Sequence, residues 1–229
     1  AYANLGNVLK DLGKLKEAEV STRQAIDLNP NIGEAHSYLG SILKGLGKLQ
    51  EAELSTRKAI ELNPDYAKAH SNLGSILIDL GKLKDAELST RKAIQLNPGL
   101  ANAHANLGII LRDLGNLKEA ELSTRKAIQL NPDSAISYQN LSLLLYTEGN
   151  IEFAVRNIYK AVSIDPNSKD NQLLLTIFNN IKNEKYHDIS NDKDIGINKE
   201  KFNSYPIILK NSIDPELINS LYKIKALDL

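Results

Sequence analysis

Apolar and small residues return along this chain at helical spacings of three and four, and the whole pattern repeats every 34 residues. In each unit a first apolar run carries Leu9, Leu43, Leu77, Leu111 or Leu145, and a second carries Ile26, Ile60, Ile94, Ile128 or Val162. Small residues also recur, as Gly6, Gly40, Gly74, Gly108 and Ser142 on the first run, and as Ala18, Ala52, Ala86, Ala120 and Ala154 with Ala25, Ala59, Ala93, Ala127 and Ala161 on the second. Small side chains let two helices cross closely. Between the runs stand Gly13, Gly47, Gly81, Gly115 and Gly149, where a glycine can adopt the left-handed conformation that ends a helix. Pro30, Pro64, Pro98, Pro132 and Pro166, each behind an Asn or Asp, close the second run. The pattern predicts five helix hairpins, over residues 1–32, 33–66, 67–100, 101–134 and 135–168.

The period lapses after Pro166. Leu174, Ile177, Phe178 and Ile181 then share one helical face, which predicts a capping helix over 169–183 covering the open apolar end of the fifth unit. Residues 184–204 are polar and mixed in charge, and read as a linker. Residues 205–229 offer a short strand, a turn, and a helix begun by Asp214 and Pro215, the start of a further segment or domain.

A period of 34 with Leu-Gly, Gly, Ala, Ala and Pro in these places resembles the tetratricopeptide repeat family, over residues 1 to about 168. That resemblance implies an all-α, right-handed superhelical solenoid acting as a scaffold for protein or peptide partners. Two positions depart from the family. The early aromatic of the first helix is Tyr2, His36, His70, His104 and Tyr138, and the aromatic expected in the second helix is Thr22, Thr56, Thr90, Thr124 and Ile158. A thinner core is expected.

His36, His70 and His104 invite a metal reading, which the spacing argues against. Equivalent positions of stacked repeats lie at least one helix-packing distance apart, roughly 8–10 Å, whereas zinc takes nitrogen ligands at about 2.0–2.1 Å. Tyrosine fills the same slot in the first and fifth units, so the rings are expected to pack, with no metal and no cofactor.

A second ladder follows two residues later: Asn4, Tyr38, Asn72, Asn106 and Asn140. Seven residues beyond it stand Asp11, Gly45, Asp79, Asp113 and Thr147. The family resemblance implies that these positions face the concave groove, and the asparagines look like the ladder in the repeat superhelix of O-GlcNAc transferases, where amides hold an extended peptide. An amide offers a donor and an acceptor, so it pairs with a peptide unit whatever the side chain. Tyr38 interrupts the ladder. Lys44 and Arg112 add groove charges, but Ala3, Ser37, Ser71 and Ala105 occupy a position where a clamp for carboxylates would need cations. On the second helix a stripe of Val20, Leu54, Leu88 and Leu122 is either an outer contact surface or a replacement for the missing aromatics.

Lys plus Arg and Asp plus Glu both number 28, so the chain lacks the positive footprint that nucleic acid or an anionic membrane would select. It has no cysteine, and no phosphate-binding glycine loop, nucleophile elbow or zinc-protease helix motif, so no catalytic site is expected within it. With no methionine either, the chain reads as a fragment of a cytoplasmic protein. A protein-binding scaffold with possible self-association is the leading expectation. The alternative is the substrate-recruitment arm of a larger enzyme, of glycosyltransferase or 2-oxoglutarate oxygenase type, whose catalytic domain is absent from this fragment.

Overall fold

The computed structural model describes residues 2–190, with side chains for residues 2–180. The strand, turn and helix expected over 205–229, and the part of the linker from 191 on, lie outside the described residues. Everything regular within them is helical: α1 (Tyr2–Asp11), α2 (Leu15–Leu28), α3 (Gly33–Gly45), α4 (Leu49–Leu62), α5 (Ala67–Asp79), α6 (Leu83–Leu96), α7 (Ala101–Asp113), α8 (Leu117–Leu130), α9 (Ala135–Thr147), α10 (Ile151–Ile164) and α11 (Lys169–Ser190). The chain divides into two compact units, residues 1–132 and 133–229. In the first unit the helices form four hairpins, and α2, α4 and α6 also pack on the first helix of the next pair. In the second, α9 pairs with α10, and α10 with α11.

The hairpin turns follow from their glycines. Gly47 has φ 73°, and the next amide, that of Lys48, reverses onto Leu43 O at 2.9 Å, which satisfies a carbonyl at the end of α3. The same bond recurs from Lys14, Lys82, Asn116 and Asn150. The second helices end differently. Asn63 is extended at φ −143°, as a residue before proline prefers, and its Oδ1 accepts from the amide of Asp65 at 3.2 Å.

Within a hairpin the helices meet where Gly faces Thr. Thr22, Thr56, Thr90 and Thr124 are fully buried, and each hydroxyl occupies the space that a Cβ on Gly6, Gly40, Gly74 or Gly108 would need. Thr56 Oγ1 donates to Ala52 O and Thr124 Oγ1 to Ala120 O, both at 2.8 Å. The fifth hairpin reaches the same end by an exchange of roles. Ser142 replaces glycine, its hydroxyl donates to Ala154 O at 2.7 Å, and fully buried Ile158 takes the threonine place. Aliphatic side chains supply the rest of the core, Leu43, Ile76 and Ala52 clustering with Leu39 while Ile26 of the preceding hairpin packs against them.

The stripe of Val20, Leu54, Leu88 and Leu122 is 59–73% exposed, so it does not replace the missing aromatics. Beside it, ion pairs link successive second helices. Glu19 meets Lys48 at 3.0 Å and Glu53 meets Lys82 at 2.7 Å, while Arg23 meets Glu51 at 2.9 Å and Arg91 meets Glu119 at 2.7 Å. Hydrogen bonding from Lys82 lowers the Glu53 carboxyl pKa against the opposing effect of burial, with Arg57 adding to the depression.

The last described helix is longer than its apolar face predicts, running to Ser190 rather than 183. No glycine or proline interrupts the chain between Pro166 and Gly196, so composition alone does not stop it. Leu174 and Phe178 are buried, and the Phe178 ring stacks on Tyr146 at 4.6 Å between centroids.

Candidate peptide-binding face

In residues 1–132 the backbones of the first helices approach one another in succession, α1 with α3, α3 with α5 and α5 with α7, whereas successive second helices, though joined by the ion pairs above, make no comparable backbone approach among the described residues. The first helices are therefore the closer-packed, inner side of this unit. Both candidate ladders lie on them.

The asparagines do more than face solvent. Asn72 Nδ2 donates to Ser37 Oγ at 3.1 Å, and Asn106 Nδ2 donates to Ser71 O at 3.2 Å, so each reaches back to the previous first helix. Asn4 is exposed on α1 and Tyr38 half-buried on α3. Asn140, in the second unit, is only 6% exposed, and its buried Nδ2 has no partner among the described residues.

The charged positions are paired. Lys44 Nζ lies 3.2 Å from Asp79 and donates to Ser75 Oγ at 2.6 Å, joining α3 to α5. Lys10 meets Asp11 at 3.3 Å. Arg112 contacts Asp113 at 2.8 Å, with its side chain only 10% exposed. Of the residues singled out from sequence, Lys44 and Asp79 come together, as do Arg112 and Asp113.

Tyr38 and Asn72 meet at a hollow of about 250 Å³ that Lys10, Ser37, Tyr66 and Lys68 also line. Two lysines and no carboxylate face it among the described residues. Burial raises the Tyr66 hydroxyl pKa, the neighbouring Tyr38 and Glu34 push the same way, and a hydrogen bond with Ser37 opposes them. Tyr66, Asn7 and Asn102 escaped the sequence reading. A signal existed for Tyr66, which stands alone where the other units carry Ile32, Leu100 and Ser134.

The three periodic histidines serve the loops between hairpins. Nε2 of His36, His70 and His104 donates to the carbonyl oxygen of Pro30, Pro64 and Pro98 at 2.8, 2.8 and 3.0 Å. A carbonyl only accepts, so Nε2 carries the proton. Gln172 makes the corresponding bond to Pro166 at the start of α11, which thereby enters in the register of a further first helix. No three His, Cys, Asp or Glu gather as a metal site among the described residues.

Tetratricopeptide repeat models match residues 1–32, 33–66, 67–100, 101–134 and 135–168, an unbroken run. The chain belongs to the tetratricopeptide repeat family. No curated protein matches it significantly. Among solved structures, the tetratricopeptide repeat fold is shared with the thermophilic protein TTC0263 of Thermus thermophilus, at 23% identity and a TM-score of 0.69 over 77% of this chain and 96% of that one. Pseudomonas aeruginosa PilF matches at 20% identity and a TM-score of 0.67, over 91% of this chain and 92% of its own. YrrB, a tetratricopeptide repeat protein described as having an unusual peptide-binding site, matches at 23% identity and a TM-score of 0.55, over 76% of this chain and 88% of its own. No described helix of this tetratricopeptide repeat chain is long and apolar enough to cross a membrane.

Proposed function

We propose that the inner, first-helix face of residues 1–132 binds an extended segment of a partner protein. The observation that carries this is a hollow on that face lined by Tyr38, the one break in the asparagine ladder, with Tyr66, Lys68 and Asn72. Tyr38 stands where the other four units have Asn4, Asn72, Asn106 and Asn140, so the repeat itself does not call for a ring there. Two aromatic rings, a lysine and an amide converge there, groups that can receive a side chain and pair with a peptide unit.

In this reading Asn4, Asn72 and Asn106 hold the peptide backbone through their remaining amide groups. The tyrosine rings receive a side chain. Asp11 and the pairs Lys44 with Asp79 and Arg112 with Asp113 fix the charge along the face. YrrB, which shares the fold, supports the class of partner, since its description names a peptide-binding site.

The test is an array of extended peptides probed with the wild-type chain and with a Tyr66→Ala/Lys68→Ala variant, alongside melting curves. Loss of two or more hydrogen bonds at about 0.5–1.5 kcal/mol each, with the ring contact, should weaken a bound peptide by at least about tenfold. Lys68 is exposed and its loss should cost no more than about 0.5 kcal/mol, while the half-buried, Ser37-bonded Tyr66 should cost about 0.5–3 kcal/mol, so a Lys68→Ala single variant read beside the double separates binding from stability. Unchanged binding would show that the hollow is not the site.

A further inference from the structure

Successive first helices set the pitch of the inner face. Packed helices lie roughly 8–10 Å apart, so the groups that Asn72 and Asn106 offer return along the face at about that interval, one per hairpin. An extended partner held by them must present equivalent groups at the same interval. A β-strand shows one face every two residues, at about 6.6 and then about 13 Å, and falls out of step. A polyproline II segment shows one face every three residues, about 9.3 Å, and keeps step.

The hollow at Tyr38 and Tyr66 has the matching chemistry. Two of its acceptors are already engaged, since Asn7 Oδ1 accepts from Lys10 Nζ at 3.2 Å and Ser37 Oγ accepts from Asn72 Nδ2 at 3.1 Å. Burial raises the Tyr66 hydroxyl pKa and the Ser37 bond opposes it, the sign of a bond donated to the phenol oxygen, which leaves the Tyr66 proton free for a ligand. Lys68 is exposed and brings three further donors. The hollow has donors to spare. A proline-bearing segment answers that surplus, because proline supplies a carbonyl and no N–H, and its ring packs on aromatic side chains. An acidic side chain would also accept, but aromatic faces are electron-rich, and Asp11, 3.3 Å from Lys10, already offsets one of the two lysines.

We propose, resting on the reading of this face as a peptide site, that the bound segment carries proline and is held as a polyproline II helix, with one prolyl ring in the hollow of Tyr38 and Tyr66. The free Tyr66 hydroxyl and the Lys68 ammonium donate to its carbonyls there. Asn72 and Asn106 meet carbonyls three residues apart.

Three labelled decamers, acetylated and amidated, serve as probes of the full chain by fluorescence polarisation: oligoproline, alternating Glu-Gly and alternating Thr-Gln. Oligoproline should bind at least about tenfold more tightly than either of the others. Tyr38→Asn, which installs the residue of the other four units, should weaken oligoproline at least about tenfold through loss of the ring contact. Tyr66→Phe keeps its ring and loses the free proton, and should weaken it about two- to tenfold. Oligoproline that binds no better than the other decamers, or that binds both variant chains as tightly as wild type, overturns the proposal. Tighter binding of the Glu-Gly or Thr-Gln decamer overturns it too and leaves the face a peptide site for a different partner, whereas a peptide array that is also silent removes the peptide site itself.

Discussion

Gly40 faces Thr56 across the second hairpin so closely that a Cβ on the glycine would overlap the threonine Oγ1, whose hydroxyl in turn donates to Ala52 O at 2.8 Å. The glycine is thus required by its neighbour and not by its own backbone, which is helical. The fifth hairpin exchanges both members at once, for Ser142 and Ile158, and moves the hydroxyl to the other helix.

Gly40→Ser should therefore destabilise the chain by about 1–3 kcal/mol, the usual cost of overpacking a closed core. Combined with Thr56→Ile, which supplies the partner used in the fifth hairpin, the loss should be smaller than the sum of the two single changes. A coupling of about 0.5–3 kcal/mol in a urea-denaturation cycle is expected. Simple additivity would mean that the two sites do not share their space.

Glu53 sets a pH dependence. Its carboxyl pKa is lowered in the folded chain, chiefly by the Lys82 hydrogen bond, so its stabilising effect is complete above the unfolded value of about 4.3 and is lost as pH falls through the lower folded value. Melting curves of wild type and Glu53→Gln should differ most near neutral pH and converge in acid. Parallel curves down to the lowest pH would remove this carboxyl as a contributor.

For His70 the relevant property is the bond from Nε2 to Pro64 O at 2.8 Å. His70→Gln should hold the melting temperature, because Gln172 makes the equivalent bond to Pro166. His70→Phe keeps a ring and loses the donor, so it should cost about 0.5–1.5 kcal/mol. Equal stability of the two variants would mean that ring packing alone matters.

Leu54, Leu88 and Leu122 are at least 69% exposed, and changing all three to serine should alter unfolding free energy by no more than about 0.5 kcal/mol per site. A larger loss in thermal or urea unfolding would place them in a buried interface. Sedimentation of the same variant beside wild type would then identify self-association as the cause.

How much of this was legible in one dimension follows from what a period can carry. The interval of 34, the five glycines at positive φ and the prolines behind Asn or Asp determine the helix hairpins by themselves, because each acts on backbone conformation within a few residues. The asparagine ladder was visible for the same reason: equivalent positions of a repeat share a face. The tertiary structure decided which residues meet. That Thr56 fills the notch of Gly40, that Asn72 returns to Ser37, and that Tyr38 and Tyr66 share a hollow depend on how one helix crosses the next. Length matters as much as position. Arg23, Arg57 and Arg91 each pair with a glutamate of their own helix, and Arg23 and Arg91 also reach Glu51 and Glu119 of the next second helix, whereas at the equivalent place Asp85 is one methylene shorter and Arg57 is left with Glu53. A repeat specifies equivalence, and only the stacked helices, with side chains of finite reach, convert equivalence into contact.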